Sequence, residues 1–246
     1  VKETAGPGFV LRDVPVPTIR DNDVLIKVRR AGVCGTDVHI YDWDAWASGR
    51  CVPPFTVGHE FAGDVAQVGS MVSDVQVGDR VTAEGHIVDG RCMLCRTGNA
   101  HACPYTKVIG VDRDGCFAEY IAMPATNVWH LDDNISYDVG GIHDPMGNAF
   151  HTALTADIPG AQGLITGCGP LGTGARREGT GRVTVQQDQR LRIVEVAQGN
   201  ALEIADAHVD GHAHAEDGPA QHDAFAVKFD LPDTSIRTGV VRIEAV

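Results

Sequence analysis

The sequence predicts a mixed α/β chain in two parts: a barrel- or sandwich-like β unit, then a shorter unit that opens on a glycine-rich loop. Three observations predict it. Residues 1–135 hold many short apolar segments separated by turn residues. A helical period sets in over residues 138–154. A short strand at residues 163–166 then runs directly into Gly167-Cys168-Gly169-Pro170-Leu171-Gly172.

Residues 24–28, Val-Leu-Ile-Lys-Val, form a compact apolar run of the buried-strand type. Residues 61–69 alternate loosely and stop at Gly69. Val77-Gly78-Asp79 is a turn that feeds a strand from Arg80, and residues 117–122 are strand-like again. Ile142, Met146, Phe150 and Leu154 recur at spacing four, which predicts a helix through this stretch. Beyond Leu171 the composition changes: residues 173–182, TGARREGTGR, lack an apolar face. Residues 183–185 and 191–196 fit the two strands of a hairpin, although the second could begin a helix running through Ala201, Leu202 and Ile204. Residues 206–223 read as a solvated loop, its histidines at 208, 212, 214 and 222 set among Ala, Asp and Gly without fixed spacing. Strand-like segments at 225–231 and 239–246 follow.

Composition narrows the functional classes. The 246 residues carry 20 Lys and Arg against 33 Asp and Glu, a net charge of -13, which argues against a nucleic-acid partner. No stretch approaches the roughly 18 apolar residues of a membrane span, and no secretory leader is visible, so the expected setting is the cytoplasm, with no membrane partner. Seven cysteines are an odd number in a chain with 43% apolar residues, enough for a core without disulfide staples. Their clustering points to metal ligation.

Asp89-x-x-Cys92-x-x-Cys95, with Cys103 close behind, offers three thiolates and a carboxylate on one loop, the donor set of a closed tetrahedral zinc site. A second set is dispersed: Cys34-Gly35-Thr36-Asp37-Val38-His39, then Gly58-His59-Glu60, then His143-Asp144-Pro145. Brought together, a thiolate, an imidazole and a carboxylate leave a fourth position open, the form of a catalytic zinc site. Taken singly, Cys34 fits a small buried residue and His59 a hydrogen-bonded turn residue. The glycines at 167, 169 and 172 allow a tight turn and the close approach of a pyrophosphate, and Asp188 stands near the spacing of an acidic ribose partner.

Together these segments resemble the zinc-dependent medium-chain alcohol dehydrogenases, and among them the threonine-oxidising members. The markers are AGVCGTDVHIYDWDAWA (31–47), VGHEFAGDVAQVG (57–69), VGDRV (77–81), EGH (84–86), GCFAEY (115–120), DPMGNAFHTAL (144–154) and TGCGPLG (166–172). The resemblance implies a GroES-like, partly open β-barrel catalytic domain at 1–160 and a shortened Rossmann-like nucleotide-binding domain at 161–246. It implies Cys34, His59 and Asp144 as ligands of a catalytic zinc, with Glu60 an adjacent carboxylate able to exchange at the metal. Asp89, Cys92, Cys95 and Cys103 fall on the structural zinc lobe, where the family usually has a fourth cysteine at position 89. Thr36 and His39 match a hydroxyl–imidazole proton relay, and His86 a substrate-pocket histidine. Gly167, Gly169, Pro170, Leu171, Gly172 and Asp188 match the cofactor site.

The implied reaction is zinc-assisted hydride transfer from the secondary alcohol of L-threonine to NAD, giving 2-amino-3-oxobutanoate. The implied partner set is a small-molecule substrate and further copies of the chain, since family members often form tetramers. From Gly163 onward fewer residues remain than a full doubly wound domain needs, on the order of 150. A non-catalytic zinc-binding barrel, or a related polyol or secondary-alcohol dehydrogenase, is the alternative. A phosphate-facing helix within 173–210 would favour the dehydrogenase, and a hairpin there the non-catalytic barrel.

Overall fold

The structure is a computed structural model and describes residues 1–154, together with five strands beyond them. In chain order the elements are β1 (Asp23–Val33), α1 (Gly35–Asp42), α2 (Ala45–Arg50), β2 (Glu60–Val68), β3 (Arg80–Ala83), β4 (His86–Ile87) and α3 (Met93–Arg96). There follow β5 (Lys107–Val108), β6 (Tyr120–Pro124), β7 (Val128–His130), α4 (Tyr137–Gly141) and α5 (His143–Leu154). The remaining strands are β8 (Gly163–Thr166), β9 (Val183–Gln187), β10 (Arg190–Glu195), β11 (Glu203–Asp206) and β12 (Phe225–Lys228). The chain divides into two compact units, Val1–His143 with Phe225–Val246, and Asp144–Ala224.

The first unit is built on β1. Val24, Ile26 and Val28 bury one of its faces and Leu25 the other, so the apolar run at its start sits inside the sheet. One edge of β1 pairs antiparallel with β2. The other edge is shared, β6 lying along Asp23–Lys27 and β12 along Arg30–Val33. β3 and β7 extend the sheet beyond β2. The main core comprises Val24, Ile26, Val28, Phe61, Val65, Val81, Ile109, Ile121 and Met123 with their neighbours. Each large side chain removed from water there contributes about 1.5–3 kcal/mol. A second cluster, Ile40, Ala47, Cys51, Phe55, Val57 and Val111, fixes α1 and α2.

The helical pattern over 138–154 is broken in the structure. α4 closes at Ile142, whose backbone (φ -105, ψ 17) is off-helix, and α5 starts afresh at His143. Gly140 and Gly141 explain the break. A Cβ on Gly140 would lie 2.7 Å from Leu131 Cδ1 and 3.0 Å from Ala62 Cβ. Two glycines let α4 press against the sheet, but they lower helix propensity at its end.

In the second unit β8 pairs parallel with β9, and β9, β10 and β11 continue antiparallel. Of the two readings of 183–196, the hairpin is therefore the one adopted over Val183–Glu195. The glycine loop at 167–172, Asp188 and the histidines of 206–223 lie outside the described residues, as does the strand expected at 239–246. No helix of the described residues is long and apolar enough to cross a membrane.

Candidate active site

Strand register assembles the first constellation. β1 and β2 run antiparallel with Gly32 opposite Glu60, so the residues just beyond this pair, Cys34 and His59, also come side by side. Suitable ligand atoms of Cys34, His59 and Glu60 all lie within 4.8 Å of one another. A side chain at Gly32 would displace the Glu60 carboxylate, since a Cβ there would sit 2.4 Å from Glu60 Oε2. Cys34 stands at the N-cap of α1, and its backbone N–H donates to Asp37 Oδ2 at 2.9 Å, which fixes the strand-to-helix turn.

His59 is oriented from behind. Its Nδ1 lies 3.8 Å from Asp37 Oδ1, both side chains are almost wholly buried, and neither atom has a hydrogen-bond partner. Burial pushes the Asp37 carboxyl above its ordinary pKa, and the neighbouring imidazole pulls it back down. An imidazole with a carboxylate behind its Nδ1 would leave Nε2 for a cation, whose charge the carboxylate would balance. The loop carrying His59 crosses the 110–117 segment backbone to backbone. Gly115 N–H donates to Thr56 O at 2.7 Å, and Cys116 N–H to Gly58 O at 2.9 Å. A Cβ on Gly115 would fall 2.0 Å from Gly58 O. The fully buried Cys116 thiol lies 3.5 Å from Glu60 O and is held protonated by that burial.

Polar side chains lead outward from Cys34. Thr36 Oγ1 lies 3.7 Å from Cys34 Sγ. His39, one turn along α1, is exposed, and its Nδ1 sits 2.6 Å from Asp44 Oδ2. His86 is arranged similarly, with Nδ1 at 2.6 Å from Glu84 Oε1, the same oxygen that accepts the His86 backbone N–H. These bonds to His86 hold the Glu84 carboxyl below the usual range. Asn127 Nδ2 clamps the turn by donating to the carbonyls of Glu84 and His86.

The second constellation lies on the loop around α3. Cys92 Sγ is 3.5 Å from Cys95 Sγ and 3.9 Å from Cys103 Sγ, and Asp89 Oδ1 is 3.3 and 3.5 Å from Cys95 and Cys103 Sγ. A tetrahedral zinc with Zn–S of about 2.3 Å separates its sulfurs by about 3.8 Å, so the donor set fits the ion. Asp89 Oδ1 also accepts the backbone N–H groups of Cys92 and Arg91, which hold the carboxyl well below the ordinary carboxylate range. The Cys95 thiol is pushed up to about 12 by desolvation and by the donors crowded around it. Such a cluster holds its thiolates only with a cation among them.

Of the residues expected from sequence, the structure unites Cys34 with His59 and Glu60, and Asp89 with Cys92, Cys95 and Cys103. Asp144 stands in the first turn of α5, in the second unit, and accepts from Asn148 at 3.3 Å. The cofactor residues Gly167, Gly169, Pro170, Leu171, Gly172 and Asp188 lie outside the described residues. Sequence reasoning missed the carboxylates behind the histidines, Asp37, Asp44 and Glu84. Their only signal was proximity, each standing within a motif already singled out, or beside one.

Residues 20–133 match the model of the alcohol dehydrogenase GroES-like domain. Over 227 residues the chain is 45% identical to the L-threonine 3-dehydrogenase of Xanthomonas campestris pv. campestris, covering 86% of this chain and 67% of that one. The chain belongs to the zinc-dependent alcohol dehydrogenase family. Its relatives include a second L-threonine 3-dehydrogenase, that of Symbiobacterium thermophilum, 54% identical over 171 residues, or 70% of this chain and 49% of the relative. Among solved structures it resembles a short chain alcohol dehydrogenase of Escherichia coli CFT073 complexed with NADH, with a TM-score of 0.67 and 28% identity, covering 73% of this chain and 54% of that one. The chain thus spans about half to two thirds of the length of these curated relatives.

Proposed function

We propose that this chain acts as an L-threonine 3-dehydrogenase, moving a hydride from the secondary alcohol of L-threonine to NAD and releasing a proton, with 2-amino-3-oxobutanoate as product. The observation that carries this reading is the close set of Cys34, His59 and Glu60, with the Thr36 hydroxyl beside the thiolate position. Cys34, His59 and Asp144 would hold a catalytic zinc, with Glu60 able to exchange. When bound, this ion supplies Lewis acidity toward the substrate hydroxyl. Thr36 Oγ1 would accept the substrate proton while giving its own toward His39, which passes a proton to water from its exposed position on α1. His86, held by Glu84, would line the substrate pocket. Asp89, Cys92, Cys95 and Cys103 would hold a second, structural zinc.

In the same reading residues 1–160 form the catalytic domain and 161–246 a shortened nucleotide-binding domain. Gly167, Gly169, Pro170, Leu171 and Gly172 receive the pyrophosphate and Asp188 the ribose. A cytoplasmic oligomer, tetrameric by resemblance, completes it. The β9–β10 hairpin favours a second reading, a zinc-binding barrel that takes no cofactor. The identity to threonine dehydrogenases outweighs it.

Purified, zinc-loaded chain tests the choice. Threonine-dependent NADH formation, with saturable NAD uptake by calorimetry, is expected. Zinc uptake without NAD uptake would select the second reading, and turnover of 2,3-butanediol or sorbitol in preference to threonine would select a polyol or secondary-alcohol dehydrogenase.

A further inference from the structure

The geometry around α1 and α2 points to Asp44 as a positioning residue: it holds His39 by Nδ1 and so leaves Nε2 as the proton-accepting atom. This inference rests on the relay proposed above. Asp44 lies between the two helices and uses its oxygens for different tasks. Oδ1 accepts the Ala47 N–H at 2.9 Å and caps α2, while Oδ2 lies 2.6 Å from His39 Nδ1. The carboxylate is fixed before it meets the histidine, because Trp43 closes α1 in the left-handed region (φ 56) and turns the chain so that Asp44 can cap α2. Trp46, in the first turn of α2, flanks the imidazole with ring centroids 6.0 Å apart.

A carboxylate oxygen accepts and cannot donate when ionised, so its bond to Nδ1 requires a proton there. In the neutral imidazole that leaves Nε2 bare, with its lone pair available. A proton arriving from the Thr36 side then has a defined acceptor, and the resulting imidazolium is stabilised by Asp44 before it gives the proton to water. Without Asp44 the imidazole is free to take either tautomer and to turn on a half-exposed helix. The tethering also keeps the ring in one place along α1, so that each turnover starts from the same geometry.

The test is Asp44→Asn in the full zinc-loaded chain. Asn is a good N-cap, and its Oδ1 can keep the Ala47 bond, which turns Nδ2, a donor, toward His39. The His39 tautomer should therefore invert from Nδ1–H to Nε2–H. Nitrogen-15 NMR of the imidazoles reads this, with His39→Gln assigning the signal. Threonine kcat should fall about tenfold or more with KM changed less than twofold, and Asp44→Asn should add little to a His39→Gln background. An unmoved tautomer, or additive losses in the double variant, would overturn the role of Asp44. If His39→Gln alone leaves kcat intact, the relay reading falls with it. A wild-type chain that oxidises no threonine overturns only the activity reading, because the tautomer is still read by NMR.

Discussion

His59 Nδ1 and Asp37 Oδ1 face each other across 3.8 Å in the interior, each without a hydrogen-bond partner. An isolated buried pair of this kind is costly. It becomes favourable when the imidazole donates its other nitrogen to a cation and the carboxylate balances the charge. On the reading proposed above, a cation on His59 would relieve that cost.

Asp37→Asn should therefore weaken metal retention at this site about 10–100-fold while leaving the lobe at Asp89 loaded. Competition against a graded series of chelators, with metal content read by mass spectrometry, checks this. Equal loss from both sites would point to general unfolding instead.

The lobe itself gives a second prediction. Asp89→Ala removes one of the four clustered donors and should release the ion proposed for this lobe under mild chelation. Asp89→Cys should retain it longer than the wild type. Cobalt substitution adds a direct reading, since a fourth thiolate strengthens the charge-transfer absorption.

The crossing of Gly58 and Gly115 should tolerate no side chain. In Gly115→Ala the new methyl meets a backbone carbonyl, which cannot swing aside. A loss of about 2–3 kcal/mol is expected, near the upper end for overpacking, with weaker zinc retention at His59 because the same loop moves. Thermal unfolding and metal analysis read the two effects separately.

Asp79 supplies a pH-dependent prediction. Its Oδ2 accepts the Gln76 N–H at 2.8 Å and lies 2.9 Å from His130 Nε2, contacts that hold its carboxyl below the usual range, the Gln76 bond first. A depressed carboxyl stabilises the fold above its unfolded pKa, near 3.9, and loses that contribution as pH falls through the lower folded value. Asp79→Asn should thus lower Tm at neutral pH, and the gap to wild type should close in acid. A gap that widened in acid would reverse the assignment.

These residues mark how far the sequence could be read. The start of β1 was legible because Val24, Ile26 and Val28 share a buried face, and the clustering of Asp89, Cys92, Cys95 and Cys103 because all four sit on one loop. The β1–β2 register that joins Cys34 to His59 was not, since no local pattern encodes which residues of two strands meet; there the family resemblance supplied the grouping. The helix break at Gly140-Gly141 was overlooked because spacing counts apolar positions and ignores how close a helix must approach its sheet. Asp44 escaped notice because its value lies in two hydrogen bonds to groups on different helices.

The pairing of β12 with β1 has a consequence for how the protein forms. Phe225 meets Val33 immediately before Cys34, so the sheet edge beside the ligand turn stays open until the chain has been made as far as Phe225–Lys228. Such a long-range closure slows folding far more than it weakens the final state, because each doubling of the intervening loop adds only about 0.6 kcal/mol. The segment between α4 and β12 can therefore differ greatly in length between related chains without changing the strand it returns to. Its length sets folding time, and the exposed edge of β1 is where a stalled chain would aggregate.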